Sequence, residues 1–552
     1  MGTRHFAVAA VMAAWPVMTA WLPVTPAMAQ SINETMCNND DGRFAEEARI
    51  QGCTALIEAR KTPDKSIAGA FLNRGVAYRR LNNFDHAIAD YSEAIRVDPS
   101  YALAYYNRAL SYSFKGAIDQ AIADYSEAIR LKPTADAFNN RGDKYRDKGE
   151  YERAIADFNE ALKLEPKLEM AVYNRGLTYY SMGDYDHAIA SFTEAVKLNP
   201  KHAAAFSDRG SSYNQKGDHD RALVDFAEAS RLDPKDALIY HNRGLLYAGL
   251  KDYDRAIADY DKSLQLDANN ATAYLSRGNA YLAKGDRDHA IADYGEAIRF
   301  NPKYSAPYFN RGLMYRRLKD YDRAIVDYSD SLRLDAGRVQ AYFERAIAYR
   351  LKGDNAHAIA DYTEHLRVRP DHAASFYNRG YIYRVTGHRD RAIADFTEAV
   401  RIDPKDADGF EQRALAYGRA DPEHALADYA EAIRLNPTSA DLFNGRCFAR
   451  VTAGRELQEA IADCTEAIRL RPKYDVALDN RGHAYLRTGQ FDLALADFEA
   501  RLALGNSAYG LYGRGVAKLK RGDAAGLADI TDAKALQSDI AAYYSSRGVP
   551  AP

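Results

Sequence analysis

The sequence predicts an all-α solenoid built from stacked antiparallel helix pairs. Three observations carry that prediction. An arginine followed by a small residue recurs about every 34 residues, at Arg74, Arg108, Arg141, Arg175, Arg209, Arg243, Arg277, Arg311, Arg345, Arg379, Arg413, Arg446, Arg481 and Arg514. Most copies then turn at a glycine, as at Gly183-Asp184 and Gly217-Asp218. Most also stop at a proline, among them Pro99, Pro133, Pro166, Pro200 and Pro234. Units this short bury their apolar faces only by stacking on neighbours. Copies are numbered 1 to 14 by these arginines.

The repeat fills most of the 552 residues, which favours one solenoid over several unrelated domains. The chain sets 74 Lys plus Arg against 77 Asp plus Glu. That balance excludes a general nucleic-acid binder, which needs a basic face to release counterions from phosphates. With 47% apolar and 27% charged residues, the mixture is that of amphipathic helices and not of a disordered tract.

Residues 1–29 are different in kind. Arg4 and His5 precede an apolar run from Phe6 to Leu22, and Ala27-Met28-Ala29 supplies a small-x-small pattern before Gln30. This reads as a signal peptide cleaved after Ala29, with an uncleaved membrane anchor as the alternative. Pro16 within the run weighs against the anchor. The expectation is an exported protein, periplasmic in a Gram-negative cell, with no membrane span after cleavage.

Copy 6 illustrates the unit. Its first helix is predicted over Leu238 to Leu250, with Tyr240, Gly244 and Tyr247 on one face; its second runs from about Asp254 to Leu266, with Ala256, Tyr260 and Ser263 inward. Glycine ends the first helix and proline marks the exit from the second. Small residues such as Gly244 and Ala256 let the two helices approach, while aromatics fill the gaps between hairpins.

The aromatic-x-x-x-Gly-x-x-Tyr, Ala-x-x-x-aromatic and terminal-proline features resemble the tetratricopeptide repeat. Fourteen copies in register, from Ala68 to about Ala541, carry the resemblance. It implies a right-handed superhelical solenoid whose first helices line a concave groove. One departure is informative: the repeat arginine stands where that family more often carries leucine. An aspartate follows 16 residues later, at Asp90, Asp157, Asp225, Asp259, Asp293, Asp327, Asp361 and Asp395. Antiparallel helices bring the two opposite each other, so an internal Arg–Asp ladder is expected. Copy 4 has Ser191 in that place, leaving Arg175 to find another acceptor or a ligand.

Two of the four cysteines fit the repeat directly. Cys447 takes the small-residue place beside Arg446, and Cys464 takes the inner aromatic place of the same copy. Cys37 and Cys53 have a similar separation, and Cys53-Thr54-Ala55-Leu56-Ile57 parallels Cys464-Thr465-Glu466-Ala467-Ile468. Residues 30–67 therefore read as a degenerate first hairpin. Export favours disulfides Cys37–Cys53 and Cys447–Cys464, with free buried thiols as the alternative. Neither pair has the CxxC spacing or nearby histidines of a metal site. The organisation is then a signal peptide over 1–29, a stapled hairpin over 30–67, fourteen repeats over 68–541, and a capping helix and tail over 538–552. The cap is read from Ser538 to Arg547, closed by Gly548 and Pro550.

There is no GxSxG, P-loop, GxGxxG before a helix, or HExxH, and the thirteen histidines are scattered. No enzyme activity, metal or cofactor is expected. Function is sought where the copies differ on the groove face. In copies 8 to 10, Arg316, Arg350 and Arg384 stand five residues after the repeat arginine, and Phe309, Phe343 and Tyr377 stand two before it. Asn310 and Asn378 lie between, with Tyr381 nearby. This is a basic and aromatic stripe suited to an extended acidic peptide. The blander alternative is solvated arginines and merely packed aromatics. The expected function is a non-catalytic protein- or peptide-binding scaffold of the cell envelope; a glycan- or peptidoglycan-associated factor in envelope assembly or polysaccharide export is the alternative. Self-association is not legible.

Overall fold

A computed structural model of the chain describes residues 26–39, 42–59 and 67–550. The expected signal peptide lies outside the described residues up to position 25, and its cleavage point after Ala29 falls within the first helix, Pro26–Asn38. Among the described residues there are 31 helices and no strand. No described helix is long and apolar enough to cross a membrane. The chain forms two compact units, Met1–Ala268 and Asn269–Pro552.

The first unit stacks the hairpin Pro26–Asn38/Glu46–Ala59 and copies 1 to 6. Cys37 and Cys53 are joined by a disulfide in that hairpin. In copy 6 the helices are Ala237–Gly249 and Tyr253–Leu266. The turn between them places its residue in the left-handed region: Gly183 has φ 78°, and where glycine is replaced, Asn82 (58°) and Lys251 (62°) adopt the same conformation. Asp252 then caps the second helix by accepting the Arg255 backbone N–H at 3.2 Å, a bond that contributes about 1 kcal/mol.

Ala256, Tyr260 and Ser263 are buried as expected. The first helix differs: Ile239, His241, Gly244 and Leu246 are its buried residues. Tyr240 and Tyr247 sit at the margins, clasping the Arg243 and Arg255 guanidiniums at 5.5 and 5.6 Å. A first helix packs both on its own partner and on the preceding pair, so its buried positions do not follow a single stripe. Gly244 is required by close approach. A Cβ there would lie 2.7 Å from Tyr260 Cε1, and Gly75 stands in the same relation to Tyr91 at 2.6 Å.

The second unit stacks copies 7 to 14 and the C-terminal segment. Cys447 and Cys464 are bonded in the places that glycine and aromatic ring hold elsewhere. The expected cap is shorter than Ser538 to Arg547: only Ile540–Ser545 is helical. Gly548, at φ 76°, lies beyond it.

The ladder runs through both units. Arg108 donates from Nε and Nη2 to the two Asp124 oxygens at 2.7 and 2.8 Å, and Arg345 does the same with Asp361. Thirteen copies make this bidentate bond, from Arg74–Asp90 to Arg514–Asp529. The remaining Nη1 often reaches the preceding pair, as Arg108 to Ser92 Oγ (2.9 Å) and Arg345 to Ser329 Oγ (2.9 Å). The arginine thus ties its own hairpin and staples that hairpin to its neighbour. In copy 4, Arg175 still donates from Nε to Ser191 Oγ (3.4 Å), turns Nη2 to Glu194 (2.9 Å) and reaches Asn159 of the preceding pair through Nη1 (3.0 Å).

Candidate peptide-binding face

The first helices of copies 8, 9 and 10 are Ser305–Arg317, Val339–Lys352 and Ala373–Val385. First helices of neighbouring pairs meet directly, for example those of copies 8 and 9, whereas no two second helices come as close. The first helices therefore form the more crowded side of the stack, and the expected stripe lies on them.

Phe309, Phe343 and Tyr377 are half-buried. Each packs on the inner ring of its own pair, against Tyr328, Tyr362 and Phe396 respectively, with centroids 5.9 Å apart. Arg338 covers Phe309 at 5.6 Å, and Phe343 also meets His365 and His372. These rings are part of the wall, and each stays partly exposed.

The three arginines differ from one another. Arg316 is paired with Glu344 at 3.0 Å. Arg350 lies beside Tyr362, and Arg384 sits over the Tyr381 ring at 5.3 Å. Among the described residues neither has a carboxylate within ion-pair distance. The Nε atoms of all three, Arg316, Arg350 and Arg384, are buried without an acceptor. The carboxyl of Glu411 is raised above its ordinary range by burial and by Asp408 and Asp441, while the charge of Arg384 opposes the rise. Burial, followed by the charges of Asp408, Asp406 and Glu411, raises the Tyr377 hydroxyl. The stripe is therefore basic at Arg350 and Arg384 and gives way to acidic residues at copy 11.

The asparagines serve the framework. Asn310 donates to Asn279 Oδ1 at 2.9 Å, and Asn378 donates to its own helix at the Ala374 carbonyl, 2.7 Å away. Glu344 and Glu411 each break a column of the repeat: Glu344 stands where asparagine usually precedes the arginine, and Glu411 where Phe309, Phe343 and Tyr377 stand. Among the described residues no group of three or more His, Cys, Asp or Glu side chains is placed to hold a metal ion.

Family models described as TPR repeat match residues 75–113, 142–183 and 278–318. Models described as tetratricopeptide repeat match 102–134, 173–237, 237–270, 306–337 and 343–407. No curated protein matches the chain. Among solved structures, a tetratricopeptide repeat protein from Parabacteroides merdae is 22% identical, with 45% of this chain and 98% of that one covered and a TM-score of 0.39. YrrB, described as a TPR protein with an unusual peptide-binding site, is 26% identical over 35% of this chain and 97% of its own, with a TM-score of 0.31. MamA is 30% identical over 31% of this chain and 92% of its own, with a TM-score of 0.28.

Proposed function

The chain belongs to the tetratricopeptide repeat family, and from that premise we propose that it is a non-catalytic scaffold of the cell envelope that holds an extended acidic peptide segment of a partner protein on the first helices of copies 8 to 10. Scaffolds of this family serve protein–protein interaction. The observation that carries the reading is the pair Arg350 and Arg384 on successive first helices, each side chain only partly buried and neither with a carboxylate at ion-pair distance among the described residues. A peptide carboxylate placed there accepts charge-assisted hydrogen bonds, which are about twice as strong as neutral ones. Phe309, Phe343 and Tyr377 offer partly exposed rings for apolar side chains of the same segment.

A glycan reading needs open aromatic faces on which sugar rings can stack. Phe309 and Phe343 spend their faces on Tyr328, Arg338, Tyr362 and the two histidines. This favours the peptide. Export is supported by the two disulfides, since such bonds persist in oxidising compartments.

A peptide array presenting extended segments of graded acidity, probed with the chain lacking residues 1–29, tests the reading. Retention should rise with carboxylate content and fall with salt. Retention indifferent to acidity would overturn it. Cell fractionation tests the location, which is wrong if the chain remains with cytoplasmic markers.

A further inference from the structure

The ladder bonds span 15 to 17 residues, and the Asn–Asn bonds between first helices span about one repeat, as Asn480 to Asn444. The C-terminal segment reaches much further. Tyr544 packs at a tilt against Tyr512 of copy 14 at 4.7 Å and donates its hydroxyl to the Tyr509 carbonyl at 2.8 Å. The same ring lies 4.8 Å from His483 of copy 13. The Arg547 carbonyl is 3.3 Å from His483 Nε2, across 64 residues of sequence. The Arg547 guanidinium sits over Phe448 of copy 12 at 5.2 Å.

His483 and Phe448 hold the same repeat position, two residues after the arginine of their first helices. A capping helix stacks on the last hairpin and touches only that copy. This segment instead crosses three successive first helices, running backward along the stack. We propose that residues 540–550 are a built-in ligand for the first-helix face of copies 12 to 14, a strap that is displaced by a partner segment carrying adjacent aromatics and a cation.

The seat is incompletely satisfied, which makes displacement feasible. Arg547 is 8% exposed, yet among the described residues no carboxylate lies within ion-pair distance and its Nε has no acceptor. On the wall, Asp479 of copy 13 keeps a buried Oδ1 without a donor. Burial holds its carboxyl up at about 7, although Arg501, 3.1 Å away, draws it down. A partner that repeats the aromatic pair Tyr543-Tyr544 and brings its cation to Asp479 makes a bond the strap leaves unmade. The proposal shares with the proposed function only the assignment of the first-helix face as the binding surface.

The experiment inserts a protease site after Gln537 in the full chain, folds it intact and then cuts it. The probe is a labelled synthetic peptide of residues 538–552. Because a tethered segment competes at an effective concentration near millimolar, the intact chain should bind the probe about a hundredfold more weakly than the cut chain. In the cut chain His483→Ala or Phe448→Ala should weaken binding by about tenfold, while Arg350→Gln/Arg384→Gln leaves it unchanged. That last arm separates a failure here from a failure of the copies 8 to 10 reading. The uncut variant Tyr544→Ala/Arg547→Ala should also gain probe binding, which keeps the test open if cutting disturbs the fold. Equal binding to cut and intact chains overturns the proposal, as does no binding to a cut chain that keeps its helical circular dichroism. Dimerisation of the intact chain through exchanged segments also overturns it.

Discussion

The ladder rung of copy 8 isolates one interaction. Arg311 donates to Asp327 at 2.9 and 2.8 Å, and the place from which other copies offer a hydroxyl to Nη1 is occupied by Gly295. Asp327 is therefore the acceptor of every side-chain hydrogen bond in the rung, while the guanidinium also lies near the Tyr308 and Tyr315 rings at 6.0 and 5.9 Å. Losing one partner of a buried pair costs about 3–5 kcal/mol. The Arg311 side chain remains 22% exposed and that of Asp327 4%, so water recovers part of the loss. Arg311→Met or Asp327→Asn should each cost about 2–4 kcal/mol. The double variant leaves no orphaned charge, so it should cost less than the sum of the two, by about 2 kcal/mol. Stacked repeats unfold by segments, so urea unfolding is paired with hydrogen exchange over residues 305–334. A coupling below about 0.5 kcal/mol would refute the ladder as a structural bond. The converse change, Ser191→Asp, supplies the missing rung to Arg175 and should slow exchange in copy 4.

Reducing the two disulfides should destabilise the N-terminal hairpin and copy 12 by about 3 kcal/mol each, the usual effect for loops of this size. Replacing Cys447 by Gly and Cys464 by Tyr restores the arrangement of other copies and should recover most of that loss, as thermal melting in reductant reports. His365 is held at about 4 by burial and then by the charge of His372, below its ordinary value of 6.5. A base with a lowered folded pKa is neutral when folded, so its stabilising contribution is complete above about pH 6.5 and is lost as pH falls toward 4. His365→Ala, which installs the residue found at the matching position Ala94, should flatten urea midpoints over that range; an unaltered pH profile would contradict the assignment.

What the sequence disclosed is what repeats. The period located the helices to within a residue in copy 6, and the spacing of Arg243 and Asp259 predicted a bond that the antiparallel geometry makes at 2.7 and 2.8 Å. Cys447 and Cys464 were legible because they replace a contacting pair. The face of the first helix was not legible, since two packing surfaces compete for it and Tyr240 turns to Arg243. Nor was the pairing of Arg316 with Glu344, because a contact between adjacent copies depends on how they stack. The strap was least visible. Its contacts follow no period, and a short helical segment followed by Gly548 and Pro550 reads equally well as a cap.

Arg350 and Arg384 test the central claim most directly, because Arg316 is already engaged with Glu344. The measurement is fluorescence anisotropy with the most strongly retained acidic peptide, comparing the unaltered chain with Arg350→Gln/Arg384→Gln and checking both by thermal melting. Loss of two charge-assisted contacts predicts binding weakened by at least about tenfold with an unchanged melting temperature. Undiminished affinity in a variant that melts normally would contradict the account.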